Sequence, residues 1–213
     1  MSSKTPIESQ NVLIESDRPL TAKDKAKFSY FGVNAKILPP FRILNPQNIV
    51  VGDRVAIREG CHINAFKDLS FLRGYIDKRY QDDFEDSQYR YDSRITFEHT
   101  SQFGRFLFMS CTNSITVQDH VVFSERVFVG DNNHSFTHPD VPIVQQPNKQ
   151  GEPVVIGRGS WIGVGAAILA GAQLGRNTVV GANSVVKRGD YPSHAVIAAP
   201  ETTVLYRRHT RDG

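Results

Sequence analysis

Two histidines four residues apart, His134 and His138, are the strongest candidates for chemistry in this chain of 213 residues. Both lie in a polar stretch, HSFTHPDVPIVQQPNKQGEP, that runs from His134 to Pro153. An alcohol is a weak nucleophile near neutral pH because its proton leaves only at very high pH. A neutral imidazole, with an ordinary pKa of about 6.5, can take that proton as the oxygen attacks. Asp131, Glu125 and Asp140 could each orient such a ring, and the sequence does not choose among them. The cysteines, Cys61 and Cys111, lack metal-type spacing. Cys61 reads as a compact core residue.

The elements that must position these groups are written in a repeat. From Ile156 the chain steps through IGRGSW, IGVGAA, ILAGAQ, LGRNTV and VGANSV, and Val186 starts the next step. The first position is always aliphatic: Ile156, Ile162, Ile168, Leu174 and Val180. The fifth is always small: Ser160, Ala166, Ala172, Thr178 and Ser184. A period of six fits neither a helix at 3.6 nor a strand at 2.0. It fits a coil of three flat faces, each sending one bulky side chain to the centre, which is a β-solenoid. The same register returns at Val51, Ile57 and Ile63, and at Val117, Phe123 and Val129. A weaker one through Phe97, Phe103 and Met109 is out of step with Val117 by two residues, which places extra residues in a turn. Eighteen residues to a coil gives roughly four to five coils. His134 is the sixth residue of VGDNNH, where the repeat gives way to the long loop.

The repeat resembles that of the hexapeptide-repeat acyltransferases, in particular sugar and polysaccharide O-acetyltransferases of the maltose and galactoside acetyltransferase type. The resemblance runs from about Ile43 to Pro200. It implies an all-β fold, a left-handed parallel β-helix with a short N-terminal helix and two loop excursions. Residues 1–42 then form a loose polar lead and a helix from Thr21 to about Phe31, which Thr21 and Asp24 can cap. The catalytic β-helix spans 43–200, interrupted by loops 66–94 and 134–153, and 201–213 is a tail. Loop 66–94 carries Tyr75, Tyr80, Tyr89 and Tyr91, and reads either as an acceptor-binding or inter-subunit arm, its tyrosines stacking on sugar rings, or as an excursion packed on its own protomer.

The family carries its catalytic histidine at the last position of a hexapeptide, before such a loop and a "PV-x-IG…WIG" restart. Here that restart is Pro153-Val154-Val155-Ile156-Gly157 and Trp161-Ile162-Gly163. Register favours His134; the string Thr137-His138-Pro139 is shared with maltose and galactoside acetyltransferases and favours His138. The implied co-substrate is acetyl-CoA, lying between protomers of a homotrimer. Its matching contacts are Trp161, Gly163, Val164, Ala182, Lys187 and Arg188, with Val164 near the oxyanion donor. The family's closing "G-x-P-A-K" segment is replaced by Ala199-Pro200-Glu201-Thr202, so nucleotide binding falls to Lys187, Arg188, Arg207 and Arg208. The family's sugar-contacting asparagine has no clear match; Asn113 is only nearby.

The implied function is acetyl transfer to a hydroxyl of a sugar or cell-surface polysaccharide. N-acetylation of a nucleotide-linked amino sugar is the alternative. A γ-class carbonic anhydrase would need His99, His134 and His138 to converge on zinc at about 2.0–2.1 Å; a non-catalytic solenoid would serve as a scaffold or an ice-binding surface, and the outward threonine ranks of ice binders are missing. No metal is expected. A net charge of +3 with no concentrated basic face argues against nucleic acid. No apolar stretch approaches the ~18 residues of a membrane span, and MSSKTPIESQ lacks a signal core, so a cytoplasmic location is expected.

Overall fold

A row of bulky aliphatics spaced six apart must be hidden on the inside of a regular winding. The computed structural model shows how; it describes residues 11–68, 77–198 and 203–207. Ile156, Ile162, Ile168, Val180 and Val186 have no exposed surface. The registers through Val51, Phe97 and Val117 are buried in the same way.

After β1 (Leu13–Ser16) come the strands of the first coil: β2 (Tyr30–Phe31), β3 (Lys36–Ile37) and β4 (Phe41–Leu44). The second coil holds β5 (Ile49–Val51), β6 (Ala56–Ile57) and β7 (Cys61–Ala65); the third β8 (Arg94–Phe97), β9 (Gln102–Phe103) and β10 (Phe108–Cys111). The fourth holds β11 (Ser114–Val117), β12 (Val122–Phe123) and β13 (Phe128–Gly130). A hairpin of β14 (Asn132–His134) and β15 (Asn148–Gln150) intervenes. The fifth coil is β16 (Val154–Ile156), β17 (Trp161–Ile162) and β18 (Ala167–Ile168); the sixth β19 (Ala172–Leu174), β20 (Val179–Val180) and β21 (Val185–Val186). Finally come β22 (Gly189–Tyr191), β23 (Ala195–Ala198) and β24 (Thr203–Arg207).

Successive coils pair in parallel, with Trp161 opposite Val179 and Ile168 opposite Val186. Three sheets result: β1-β4-β7-β10-β13-β18-β21, β2-β5-β8-β11-β16-β19-β22 and β24-β23-β20-β17-β12-β9-β6-β3. The chain passes from the second sheet to the third, then the first, and back, as in a parallel β-helix. The antiparallel strands β1 and β24 cover β4 and β23, closing edges that would otherwise recruit other strands. Inside, Phe97, Phe103 and Phe123 stack edge to face at 4.9 and 4.8 Å. Glycine at the second hexapeptide position has a steric cause where corners stack: a Cβ on Gly163 would lie 2.7 Å from Ala182 N.

The structure corrects several expectations. The described residues form six complete coils, more than the repeat count gives, and the first begins at Tyr30 instead of Ile43. Leu13–Ser16 is a strand within the expected loose lead. The helix is a single turn, α1 (Ala22–Lys25). Its capping box forms, with Asp24 N donating to Thr21 Oγ1 at 3.2 Å and Thr21 N to Asp24 Oδ2 at 3.1 Å. Phe28 and Phe31 then pack edge to face at 5.1 Å against the first coil, and their burial outweighs further helix. The two extra residues of the slipped register are found at the corner Thr112–Asn113, between β10 and β11.

Candidate active site

Both excursions leave at the same corner, the one between the first and second sheets, separated by the tight corner at Thr112–Asn113. What holds that corner is Asp131, which is fully buried. Its carboxylate accepts from Thr112 N at 2.7 Å, Asn113 N at 2.8 Å, Thr112 Oγ1 at 3.2 Å and Cys111 Sγ at 3.2 Å. A buried carboxylate needs such donors. Burial first, then the Asp131 charge, pushes the Cys111 thiol far up, so it stays protonated. Burial pushes Cys61 up to about 12. Neither is a thiolate nucleophile near neutral pH.

His134 ends β14, opposite Asn148 of β15. It is exposed, and among the described residues its imidazole has no hydrogen-bond partner. His138 is also exposed, but its ring packs edge-on to Phe84 at 5.2 Å and its carbonyl accepts from Gln146 Nε2 at 3.0 Å. Of the three acids weighed as orienting groups, Asp131 is committed to the corner. Glu125 faces Arg105 at 3.8 Å at a different corner, and Asp140 is exposed in the histidines' own loop. Asn113 is taken up in holding the hairpin's exit, its Nδ2 donating to Gly151 O at 3.0 Å.

The first excursion packs on the second. Phe84, Tyr89 and Tyr91 are buried together, with Phe66, Tyr80 and Val141 against them. Tyr91, pushed up to about 12 by burial, donates its hydroxyl to Asn148 O at 2.9 Å. These tyrosines build a second small core and do not stand free for sugar stacking; Tyr75 lies outside the described residues. Between the excursions opens a cleft of about 330 Å³, lined by Ser87, Arg90 and Tyr91 on one side and Ser135, Asn148 and Lys149 on the other. The sequence alone did not reveal this cleft, because its walls come from two aperiodic segments; the clustered tyrosines were its only signal.

The six residues matched to the co-substrate fall into two groups. Trp161, half exposed, donates Nε1 to Ser124 Oγ at 3.1 Å. Gly163, Val164 and Ala182 sit at the corner between the third and first sheets, one coil apart, where Asn183 N donates to Val164 O at 2.8 Å. The N–H of Val164 finds no acceptor among the described residues. Lys187 and Arg188 stand at the other edge of the first sheet, and Arg188 is paired with Glu152 at 2.9 Å. A face about six residues wide spans roughly 20 Å, so Val164 and His134 lie on opposite edges within one protomer. His99 is at the third corner, beside Asp53 at 3.5 Å, and does not meet His134 and His138 within a protomer. Ala199 to Thr202 and Arg208 lie outside the described residues, and only the backbone of Arg207 is described. No described helix is long and apolar enough to cross a membrane.

Comparison with known proteins follows the same lines. Residues 153–188 match the family model "Bacterial transferase hexapeptide (six repeats)". The chain is 32% identical over 127 residues to "Putative lipopolysaccharide biosynthesis O-acetyl transferase WbbJ" of Escherichia coli, covering 55% of this chain and 63% of that one. It therefore spans less than two thirds of that relative's length. A Saccharomyces cerevisiae protein named "Putative acetyltransferase YJL218W" is 37% identical over 143 residues, covering 53% of this chain and 72% of the relative. Among solved structures, AntD, an N-acyltransferase from Bacillus cereus in complex with dTDP and 3-hydroxybutyryl-CoA, superposes with a TM-score of 0.65. It is 19% identical, with 87% of this chain and 86% of that chain covered, a likeness of fold.

Proposed function

Since this chain belongs to the hexapeptide-repeat acetyltransferase family, we propose that it transfers an acetyl group from acetyl-CoA to a hydroxyl of a sugar or cell-surface polysaccharide, with His134 as general base. In this reading the β-helix is a left-handed solenoid, working in the cytoplasm. The observation that carries it is the state of His134: an exposed imidazole with no hydrogen-bond partner among the described residues, at the end of a hairpin whose opposite strand lines a cleft. Its rival His138 is packed on Phe84.

Acetyl-CoA supplies an acyl group already activated as a thioester. His134 takes the proton of the acceptor hydroxyl as its oxygen bonds to the acyl carbon. The N–H of Val164 meets the oxyanion that builds on the carbonyl oxygen. When the carbon–sulfur bond breaks, His134 returns the proton to the leaving sulfur, so the free thiol of CoA and the acetyl ester are the products. Trp161, Gly163 and Ala182 flank the pantetheine, and Lys187 is the cation left for phosphate, since Arg188 already holds Glu152. Val164 and His134 sit at opposite edges of one sheet, so the corner of a second copy completes the site, and a closed C3 homotrimer gives every copy one such neighbour.

Thiol release from acetyl-CoA against a panel of saccharides tests the reading, and free amino sugars in the panel separate O- from N-transfer. His134→Ala is expected to lower turnover roughly 100- to 10,000-fold with little change in acetyl-CoA binding. If that loss falls on His138→Ala while His134→Ala stays near normal, the assignment is wrong. A monomer by light scattering with full activity would sink the shared site.

A further inference from the structure

We propose that the cleft between the two excursions is an acceptor subsite for an anionic saccharide, a sugar bearing a carboxylate or one linked to phosphate. The inference rests on the acyl-transfer reading for its role and on the cleft itself for its chemistry.

Arg90 and Lys149 line opposite walls. Neither takes part in an ion pair among the described residues, whereas Arg58, Arg79, Arg105, Arg158 and Arg188 all do. Among the described residues no carboxylate lines the cleft. Glu85, whose carboxylate accepts from Ser87 Oγ at 3.2 Å, stops one side chain short of it. Arg90 lies across a β-bridge from Asp68 without forming an ion pair with it. Two cations unpaired among the described residues on either side of one cleft are complementary to an anion, and a guanidinium fork suits a carboxylate or phosphate in particular. The rest of the lining mixes hydroxyls and amides with the ring of Tyr91 and with Pro147, which suits a sugar's polar edges and apolar faces. About 330 Å³ is at the small end of ligand pockets of ~300–1,000 Å³, the scale of one or two sugar rings.

The walls are pre-set. Tyr91 bolts the first excursion to the hairpin through Asn148 O at 2.9 Å. Glu85 N donates to Gln88 Oε1 at 2.8 Å, fixing the turn that presents Arg90. Ser135 and Asn148 both line the cleft; one follows His134 in the chain and the other opposes it in register. The cleft therefore adjoins the base both along the chain and across the hairpin.

Calorimetric binding without any acyl donor tests this, using three pairs of probes. The first is an oligogalacturonate and its methyl ester, the second a nucleoside diphosphate hexose and the free hexose, the third chloride and inorganic phosphate. Tighter binding of the oligogalacturonate than its ester identifies a carboxylate sugar, and tighter binding of the nucleotide sugar than the hexose identifies a phosphate-linked one. The double variant Arg90→Gln/Lys149→Gln should lower the anionic preference about 10- to 100-fold, the range for losing charged hydrogen bonds. Lys149→Glu should reverse it, and a melting curve reports that each variant is folded. The proposal is overturned if neither anionic sugar binds better than its neutral partner, if phosphate alone competes as well as either sugar, or if the double variant keeps the preference. Anionic selectivity without thiol release would leave the subsite standing and sink acyl transfer. Thiol release with neutral sugars and no anionic preference would do the reverse.

Discussion

Replacing Asp131 by alanine separates two roles that a carboxylate three residues before the proposed base could play. The structure makes it the clamp of the Thr112–Asn113 corner, with two backbone N–H donors at 2.7 and 2.8 Å and the protonated thiol of Cys111 at 3.2 Å. Asp131→Ala leaves the buried N–H of Thr112 and the part-buried N–H of Asn113 unanswered. Each such group costs about 1–3 kcal/mol, and losing the charge-assisted bonds brings the total to about 3–6 kcal/mol. At this chain length 1 kcal/mol moves the melting point by about 2–4 °C, so a drop of roughly 6–24 °C is expected. Thermal melts at fixed protein concentration measure it, since association also shifts the midpoint. Hydrogen exchange should show the loss centred on residues 111–113 and the base of the hairpin. Turnover should fall because the hairpin loosens, and should recover in part on cooling. A variant that melts like the parent yet has lost turnover at every temperature would refute the clamp and restore Asp131 as the group that orients the imidazole.

Other outcomes follow from the same structure. Ile168 is wholly buried between Val129 and Val186, so Ile168→Ala should cost about 2–5 kcal/mol. Leu169 is only half-buried, so Leu169→Gly should leave protomer folding nearly intact and weaken association or co-substrate binding. Equal loss of melting temperature in both would mean the inward–outward register is misassigned. Glu59, held down to about 2 chiefly by Arg58 and also by Arg105, has a folded pKa below its unfolded one. Its contribution is present above the usual carboxylate range and is lost as pH falls toward about 2. The gap in melting temperature between parent and Glu59→Gln should therefore close on acidification and shrink in ~1 M salt; a gap that widens would contradict the pairing.

The winding was legible because every coil repeats one demand: a bulky residue inward and a small one at the bend. Ile156 to Val186 announces that demand without a break. Phe31, which opens the first coil, was hidden because it follows Thr21 and Asp24, a helix start whose capping signal says nothing of where the helix ends. His134 and its loop were visible as an interruption of a period. The cleft beside them was not, because Tyr91 and Asn148 are 57 residues apart and no spacing rule joins two aperiodic segments. The role of Asp131 was equally non-local, since its partners belong to the preceding coil. The split of the residues matched to the co-substrate between two edges needed the sheets themselves.

Both insertions depart from one edge, and the chain re-enters register after each: Ile57 still faces Phe103 across the first and Val122 still faces Trp161 across the second. Frame and insertions are thereby free to vary separately. Mutation can lengthen, shorten or recharge these segments while every inward side chain keeps its neighbours. A lineage built on this prism can change what it recognises without having to reinvent how it folds.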